Sequence, residues 1–405
     1  MILIPVLILF AIVIMKIQKG MLAAFLLLVA TKSIMDAFWN IRIGPLSFSS
    51  IGGILIPFLF YPILFKKKHF PKSWRINASL LAIALSMGFF YALPVRFLAT
   101  IENAILVLNI FMGFFIIPIL IDGHNKFKQL LIAIMVCGIF PIVISIFQFR
   151  TGIIFYERET AGLTRYVGFY HDAFPVRFFG LMALLSSLMY LQFFKPSKKI
   201  VRWSVLALSF AAMFSIYLVY SKAAVGILGA WIVLLLIFSQ SRKKQLLAIF
   251  VGLSVLFLIF GDGFYTNIEQ LFTKEVGYQT GEIKDARYTL AGRGYVWEDY
   301  WSFWTERQTL FFQWFGDGIS RPTHNEFLRI LLVSGIIGVI LFMVFLLRML
   351  KIIFKSNSKT IVFCLMLLSM FFIDCIGLMP GNYYFYNIMV WGLIGLFVTR
   401  RQSIV

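Results

Sequence analysis

The sequence predicts an all-α polytopic membrane protein with about 12 to 14 transmembrane helices. Three observations carry this: an apolar composition, a series of helix-length apolar runs, and basic residues gathered in alternate loops. Of 405 residues, 61% are apolar and 13% charged, against roughly 45–50% and ~25% in a soluble domain. Mean hydropathy is +0.91. This composition excludes a disordered chain, a nucleic-acid-binding domain and a soluble multidomain enzyme. The net charge of +20 comes from 37 basic and 17 acidic residues. A polytopic protein gathers such an excess in cytoplasmic loops, so it does not require a polyanionic partner. Cys137, Cys364 and Cys375 lie in apolar runs without paired spacing, which implies neither a disulfide framework nor a metal site. The apolar start lacks a basic leader and a small-residue cleavage site, so no cleavable signal peptide is expected.

A bilayer core of about 30 Å takes about 20 apolar residues as helix. Such runs fall at 2–16, 21–39, 49–65, 77–97, 101–121, 129–148, 174–194, 203–220, 223–240, 245–261, 324–347, 360–378 and 384–399. Basic residues cluster at Lys66–Arg75, Lys195–Arg202, Arg242–Lys244, Arg348–Lys359 and Arg400–Arg401. Four, two, two and two runs separate successive clusters. All the clusters can therefore lie on the cytoplasmic side, as the charge rule demands. Residues 149–173 and 262–323 then fall on the outer face. Expected domain organisation is a single transmembrane domain, 1–405, with 262–323 as a large outer loop acting as a lid.

That loop holds nine of the acidic residues and six basic ones, so it is net negative in a strongly basic chain. Trp297, Trp301, Trp304 and Trp314 mark it as folded. Helices are expected at about 264–275 and about 290–312, the second beginning after Gly292. The spacing 297, 301, 304 places aromatics on one helix face.

Candidate chemistry gathers at the outer rim. Thr323 can cap the helix that follows, with Glu326 as its capping-box partner. His324 then sits on the first turn, where a neutral imidazole can take a proton from a hydroxyl. The bland alternative is that His324 and Asn325 merely cap the helix. Arg293 stands between Gly292 and Gly294, which permit close backbone approach, and a guanidinium grips phosphate bidentately. Arg287 lies six residues earlier. Pairing with Asp285 or Glu298 would make such arginines surface features. Arg177 is three residues into an apolar run, a costly position unless it faces a cavity or partner; Asp172 is a candidate partner. Arg165, Arg321, Lys222 and His171 lie on the same rim, while Arg329, Asp374 and Glu102 sit in or at apolar runs. The sequence contains no HExxH, Walker A, GxSxG or Asp-x-Asp signature, which leaves no expected metal or nucleotide cofactor.

The run Thr323-His324-Asn325-Glu326-Phe327-Leu328, continuing to Gly335 and Gly338, resembles the H-N-x-x-L…G-x-x-G signature of the O-antigen polymerase and O-antigen ligase (Wzy and WaaL) superfamily. Gly292-Arg293 followed by Trp297 is similar to that family's G-R-x-x-x-W element. The motifs cover about 40 residues and the topology most of the chain. Arg165 and Gly180 are one residue closer together than the R-x15-G element described for polymerases, a departure that puts the role of Arg165 in question.

The resemblance implies a GT-C-like, metal-independent inverting glycosyltransferase in the bacterial inner membrane, with its active site facing the periplasm. Its donor would be a glycan on undecaprenyl pyrophosphate. The acceptor would be another lipid-linked repeat unit in a polymerase, or the lipid A core in a ligase. The resemblance assigns His324 and Arg293 to catalysis. Arg177, Arg287, Arg321, Arg165 and Asn325 would bind substrate. Membrane lipid and a chain-length regulator protein are the expected partners, and no nucleic acid is. Sequence divergence and the 18% aromatic content favour polymerase. Ligase and polysaccharide transporter are the alternatives.

Overall fold

The computed structural model describes residues 3–43, 46–65, 70–238, 251–252, 254–255, 258–259, 261–356 and 358–400. The chain is an all-α polytopic membrane protein. Among the described residues, seven helices are long and apolar enough to cross a membrane: Lys72–Ala92, Phe97–Leu120, His124–Thr151, Ala173–Phe194, Lys199–Leu218, Glu326–Phe354 and Thr360–Gly377. Shorter apolar helices occupy Ile51–Ile63, Lys222–Phe238 and Tyr384–Thr399. The expected runs at 2–16 and 21–39 form helices Leu3–Lys19 and Met21–Ala37, of 17 residues each. Backbone chemistry shortens others. Pro57 lies inside the helix at Phe48–Phe60, which passes into a 3-10 turn at Tyr61–Phe65. Most of the expected run 245–261, and the basic clusters Lys66–Lys68 and Arg242–Lys244, lie outside the described residues. Arg401 does too.

The chain divides into two compact units: Met1–Leu55 with Leu120–Phe272 and Gln402–Val405, and Ile56–Ile119 with Thr273–Arg401. The expected outer loop is thus shared between them, changing unit at Phe272–Thr273.

In the first unit, the helix His124–Thr151 packs against Met21–Ala37, Ala173–Phe194 and Lys199–Leu218. At Gly138 a β-carbon would stand 2.5 Å from the Ala183 side chain, so only glycine allows that crossing. The Ser33 hydroxyl donates to the Cys137 carbonyl, and the Tyr170 hydroxyl donates to the Ser33 carbonyl. These bonds tie the loop before Ala173 to the helical core. A two-residue antiparallel hairpin pairs Glu159 with Thr164 and Thr160 with Leu163. The amphipathic helix Asp262–Leu271 lays Phe264, Ile268 and Leu271 on Tyr217, Leu218 and Tyr220. Burying that apolar face contributes about 25 cal/mol per Å² removed from water.

In the second unit, Lys72–Ser86 packs along Glu326–Phe354. The Trp74 indole donates to the Phe114 carbonyl, and Arg348 Nε donates to Asn77. The Glu326–Phe354 helix is interrupted at Gly335, whose φ of 67° and ψ of −169° are closed to other residues. An unbroken helix would bond the carbonyls of Leu332 and Val333 to the amides four residues on. Here they accept instead from the backbone N–H groups of Asp317 (3.1 Å) and Gly318 (3.0 Å). The segment 314–318 therefore docks into the break, about 13 Å along the helix. A β-carbon on Gly335 would meet the Trp314 carbonyl at 2.3 Å, and one on Gly318 the Gly88 carbonyl at 2.1 Å. Gly88 itself marks the interruption between Lys72–Ser86 and Phe89–Ala92. Irregular backbone at such depth is tolerated when protein partners satisfy it.

Candidate functional site

Three cations of the first unit converge on one turn. The helix Lys199–Leu218 ends just before Tyr220, which has a positive φ of 44°, and Lys222–Phe238 begins after Ser221. Arg165 extends the small hairpin through its N–H to the Arg158 carbonyl, and its Nη2 donates to the Tyr220 carbonyl at 3.3 Å. Arg177 donates from Nη1 to the Ser221 hydroxyl, also at 3.3 Å, and its guanidinium lies 5.4 Å from the Phe174 ring centroid. The helix carrying Arg177 starts at Asp172, whose carboxylate accepts from the Ala173 N–H. Asp172 is thereby a cap, while Arg177 enters the second turn and is only 4% exposed. Lys222 opens the next helix, with its ammonium 5.6 Å from the Phe272 ring. Three cations at one turn raise the local positive potential, and burial strengthens their hold on an anion.

His324 does not lie on the first turn of the Glu326–Phe354 helix. The cap is Asn325, whose side-chain oxygen accepts from the Leu328 N–H at 3.1 Å, rather than Thr323. Thr323 is buried and donates to the Asn325 carbonyl. His324 is exposed and has a φ of 51°. Left-handed backbone costs a non-glycine residue of order 1 kcal/mol. His324 thus precedes the cap and stands outside the helix. Glu326 completes no capping box. It is 1% exposed, forms a two-bond pair with Arg329 (2.6 and 3.1 Å) and accepts from the Gly381 N–H. A buried pair repays its desolvation only when its remaining lone pairs are bonded, and the Gly381 amide does this. The pair lies on the helix carrying the histidine motif, so it anchors that motif's first turn against Pro380–Asn382.

Arg293 follows three successive left-handed residues, Leu290, Ala291 and Gly292. Helical geometry thus begins at Arg293, as expected, continues to Arg307 through a π turn, and resumes at Leu310–Phe315. The expected helix at 264–275 is two helices, Asp262–Leu271 and Thr273–Thr280. The Arg293 guanidinium lies against the end of the Ser358–Gly377 helix, where a β-carbon on Gly377 would fall 2.8 Å from Nη1. Deeper in that helix, the Asp374 carboxylate accepts from the Tyr386 hydroxyl at 3.0 Å.

Two other loop arginines, Arg287 and Arg321, are committed to carboxylates. Arg287 donates from Nε and Nη2 to the Asp285 carboxylate and from Nη1 to Glu298 at 2.6 Å. The Arg287 guanidinium holds the Asp285 carboxyl well below the usual carboxylate range. Hydrogen bonds to Asp285 and Glu298 push Arg287 higher still. Arg321 grips Asp317 at 2.6 and 3.0 Å and stacks 4.5 Å from the Phe303 ring. His171 stacks edge-on against Trp39 at 4.6 Å, a structural setting. Among the described residues, no three His, Cys, Asp or Glu side chains are grouped to hold a metal ion.

The structure thus brings together Arg165, Arg177 and Lys222 in one unit; in the other, His324 precedes the Asn325 cap, Arg293 lies against Gly377, and Arg287 and Arg321 are held by carboxylates. Sequence reasoning passed over the buried Lys32–Asp36 pair inside Met21–Ala37. Opposite charges four apart in an apolar run were the available signal. It also passed over the break at Gly335, which a glycine inside a helical run only hints at.

No protein-family model matches the chain, and no curated protein matches it.

Proposed function

We propose that this protein is an inverting glycosyltransferase of the O-antigen polymerase type, using a glycan donor on undecaprenyl pyrophosphate. The observation that carries the reading is the convergence of Arg165, Arg177 and Lys222 on the Tyr220–Ser221 turn. A departing pyrophosphate needs its charge neutralised, and preorganised guanidinium groups do so without reorganisation cost at the moment of reaction. In this reading the acceptor hydroxyl oxygen attacks the donor C1 from the face opposite the phosphate. The C1–O–phosphate bond breaks, lipid pyrophosphate departs and the anomeric configuration inverts. The hydroxyl proton needs a base, and the family resemblance nominates His324, which is exposed just ahead of its helix. The family resemblance also nominates Arg293 for catalysis, while Arg287 and Arg321 would have to leave Asp285, Glu298 or Asp317 to meet an anion.

The proposal extends to placement. Twelve to fourteen crossings of a GT-C-like bundle in the bacterial inner membrane put residues 262–323 and the site on the periplasmic side. A chain-length regulator and membrane lipid are its partners. The ligase reading uses the same chemistry with a lipid A core acceptor. The transporter reading gains support from the interrupted helix at Gly335, a device that transporters use to bind substrate. It loses support because the freed carbonyls are already taken by Asp317 and Gly318.

Deletion of the gene followed by gel analysis of lipopolysaccharide separates these readings. Core carrying a single repeat unit is the expected result. Bare core would mean ligase, and an unchanged ladder would sink both.

A further inference from the structure

A cavity of about 310 Å³ opens in the second unit between Tyr91, Ala92 and Val95 on one side and Arg307, Gln308, Thr309, Phe312, Asp317 and Ile319 on the other. Its size is at the low end of the roughly 300–1,000 Å³ of small-molecule sites. Its lining is of two kinds. Tyr91 and Phe312 present rings, set edge-to-face at 6.0 Å, and Phe311, outside the lining, packs on Tyr91 at 5.0 Å. Facing them is a fixed polar set. Asp317 accepts from Gln308 Nε2 at 2.8 Å, from the Ile319 N–H at 2.9 Å, and from both terminal nitrogens of Arg321.

Four donors saturate Asp317, so its role is to hold others in place. One of these is Gln308. Because Nε2 points to Asp317, Oε1 is the free end of the amide, and it is buried without a hydrogen-bond partner. A buried acceptor left unmade costs about 1–3 kcal/mol, so a ligand O–H there repays a standing deficit. Arg307 adds an exposed guanidinium at the cavity. The floor is rigid, since Gly318, between Asp317 and Ile319, is pinned to the Val333 carbonyl and pressed on Gly88.

We infer that this cavity is a sugar-binding subsite that holds one pyranose ring of the saccharide substrate. The inference rests on the glycosyl-transfer reading for the origin of that sugar. A pyranose has an apolar C–H face and an equatorial rim of hydroxyls. Tyr91 and Phe312 match the face, and Gln308 Oε1 accepts from the rim while Arg307 donates to it. Small apolar ligands would leave the Gln308 acceptor unsatisfied and are disfavoured.

Saturation-transfer NMR on the full chain in lipid nanodiscs, free of glycoside detergents, tests this. The probes are the methyl glycosides of glucose, galactose, mannose, N-acetylglucosamine, rhamnose and glucuronic acid. At least one should receive saturation from the wild type. Binding should weaken roughly tenfold in Gln308→Ala, vanish in Tyr91→Ala and persist in Tyr91→Phe and His324→Ala. Monodispersity by size exclusion checks folding, and Gln308→Ala decides the matter if Tyr91→Ala does not fold. No binding of any probe, or binding untouched by Gln308→Ala, overturns the subsite. Glycoside binding alongside an unchanged ladder in the deletion strain keeps the subsite and removes the glycosyl-transfer reading. A lost ladder with no glycoside binding does the reverse.

Discussion

Arg177 and Arg287 carry the same group in opposite settings. Arg177 is 4% exposed, enters the second turn of a membrane helix and touches a serine hydroxyl and a phenyl ring. Arg287 is about half exposed and is clasped by two carboxylates. The first unit gathers cations on one turn, whereas the acidic loop of the second neutralises its own. An arginine's worth to an anionic substrate thus depends on what already holds it. Exposed ion pairs contribute little to stability, but they do withdraw a guanidinium from other work.

The largest expected effect lies at Arg177. Arg177→Gln should cut polymer formation by about 10²–10³-fold, the usual loss for one preorganised electrostatic contact. Arg287→Gln should stay within about tenfold of wild type. Equal losses, measured as ladder intensity at matched expression, would break the comparison. Next comes His324→Asn. Asparagine accepts the left-handed backbone that position 324 holds, so the melting temperature should hold while product falls by about 10²–10⁴-fold. A fall in melting temperature without loss of product would make His324 structural.

Gly377→Ala sharpens the status of Arg293. A methyl there meets the flexible end of that guanidinium at 2.8 Å, so stability should change by less than about 1 kcal/mol. Activity should fall several-fold if Arg293 works from that position, and wild-type turnover would make it a surface contact. The smallest effect is pH dependence in the loop. The folded Asp285 carboxyl titrates below its ordinary value of 3.8. Its contribution to stability is therefore present above pH 3.8 and lost as the pH falls through the folded value. Proteolysis of residues 282–300 should quicken below about pH 4, and Asp285→Asn should flatten that dependence. An unchanged profile in Asp285→Asn would assign the sensitivity elsewhere.

The helices were legible in the sequence because apolar runs of bilayer length have few other solutions. Gly292 as the prelude to helical geometry at Arg293 was legible too, since glycine tolerates positive φ. The cap of the histidine-bearing helix was not. Thr323 and Asn325 are both good cap residues, and burial of Glu326 against Arg329 and Gly381 settles the choice for Asn325. Proximity in space escaped entirely. Nothing in the spacing of Arg165, Arg177 and Ser221 announces that they share a turn. The commitment of Arg321 to Asp317 was four residues away in plain view, yet a phosphate clamp and an ion pair ask for the same residue.

The docking of 314–318 into the interrupted helix bears on how substrates come and go. Pulling that segment away would strip hydrogen bonds from the buried Leu332 and Val333 carbonyls, at about 1–3 kcal/mol for each group left unpaired. This stretch is therefore a fixed post. Any swinging of the outer segment must pivot outside residues 308–318, because Asp317 also holds the Gln308 amide and Gln313 Nε2 donates to the Trp304 and Thr305 carbonyls across the joint between the two helices.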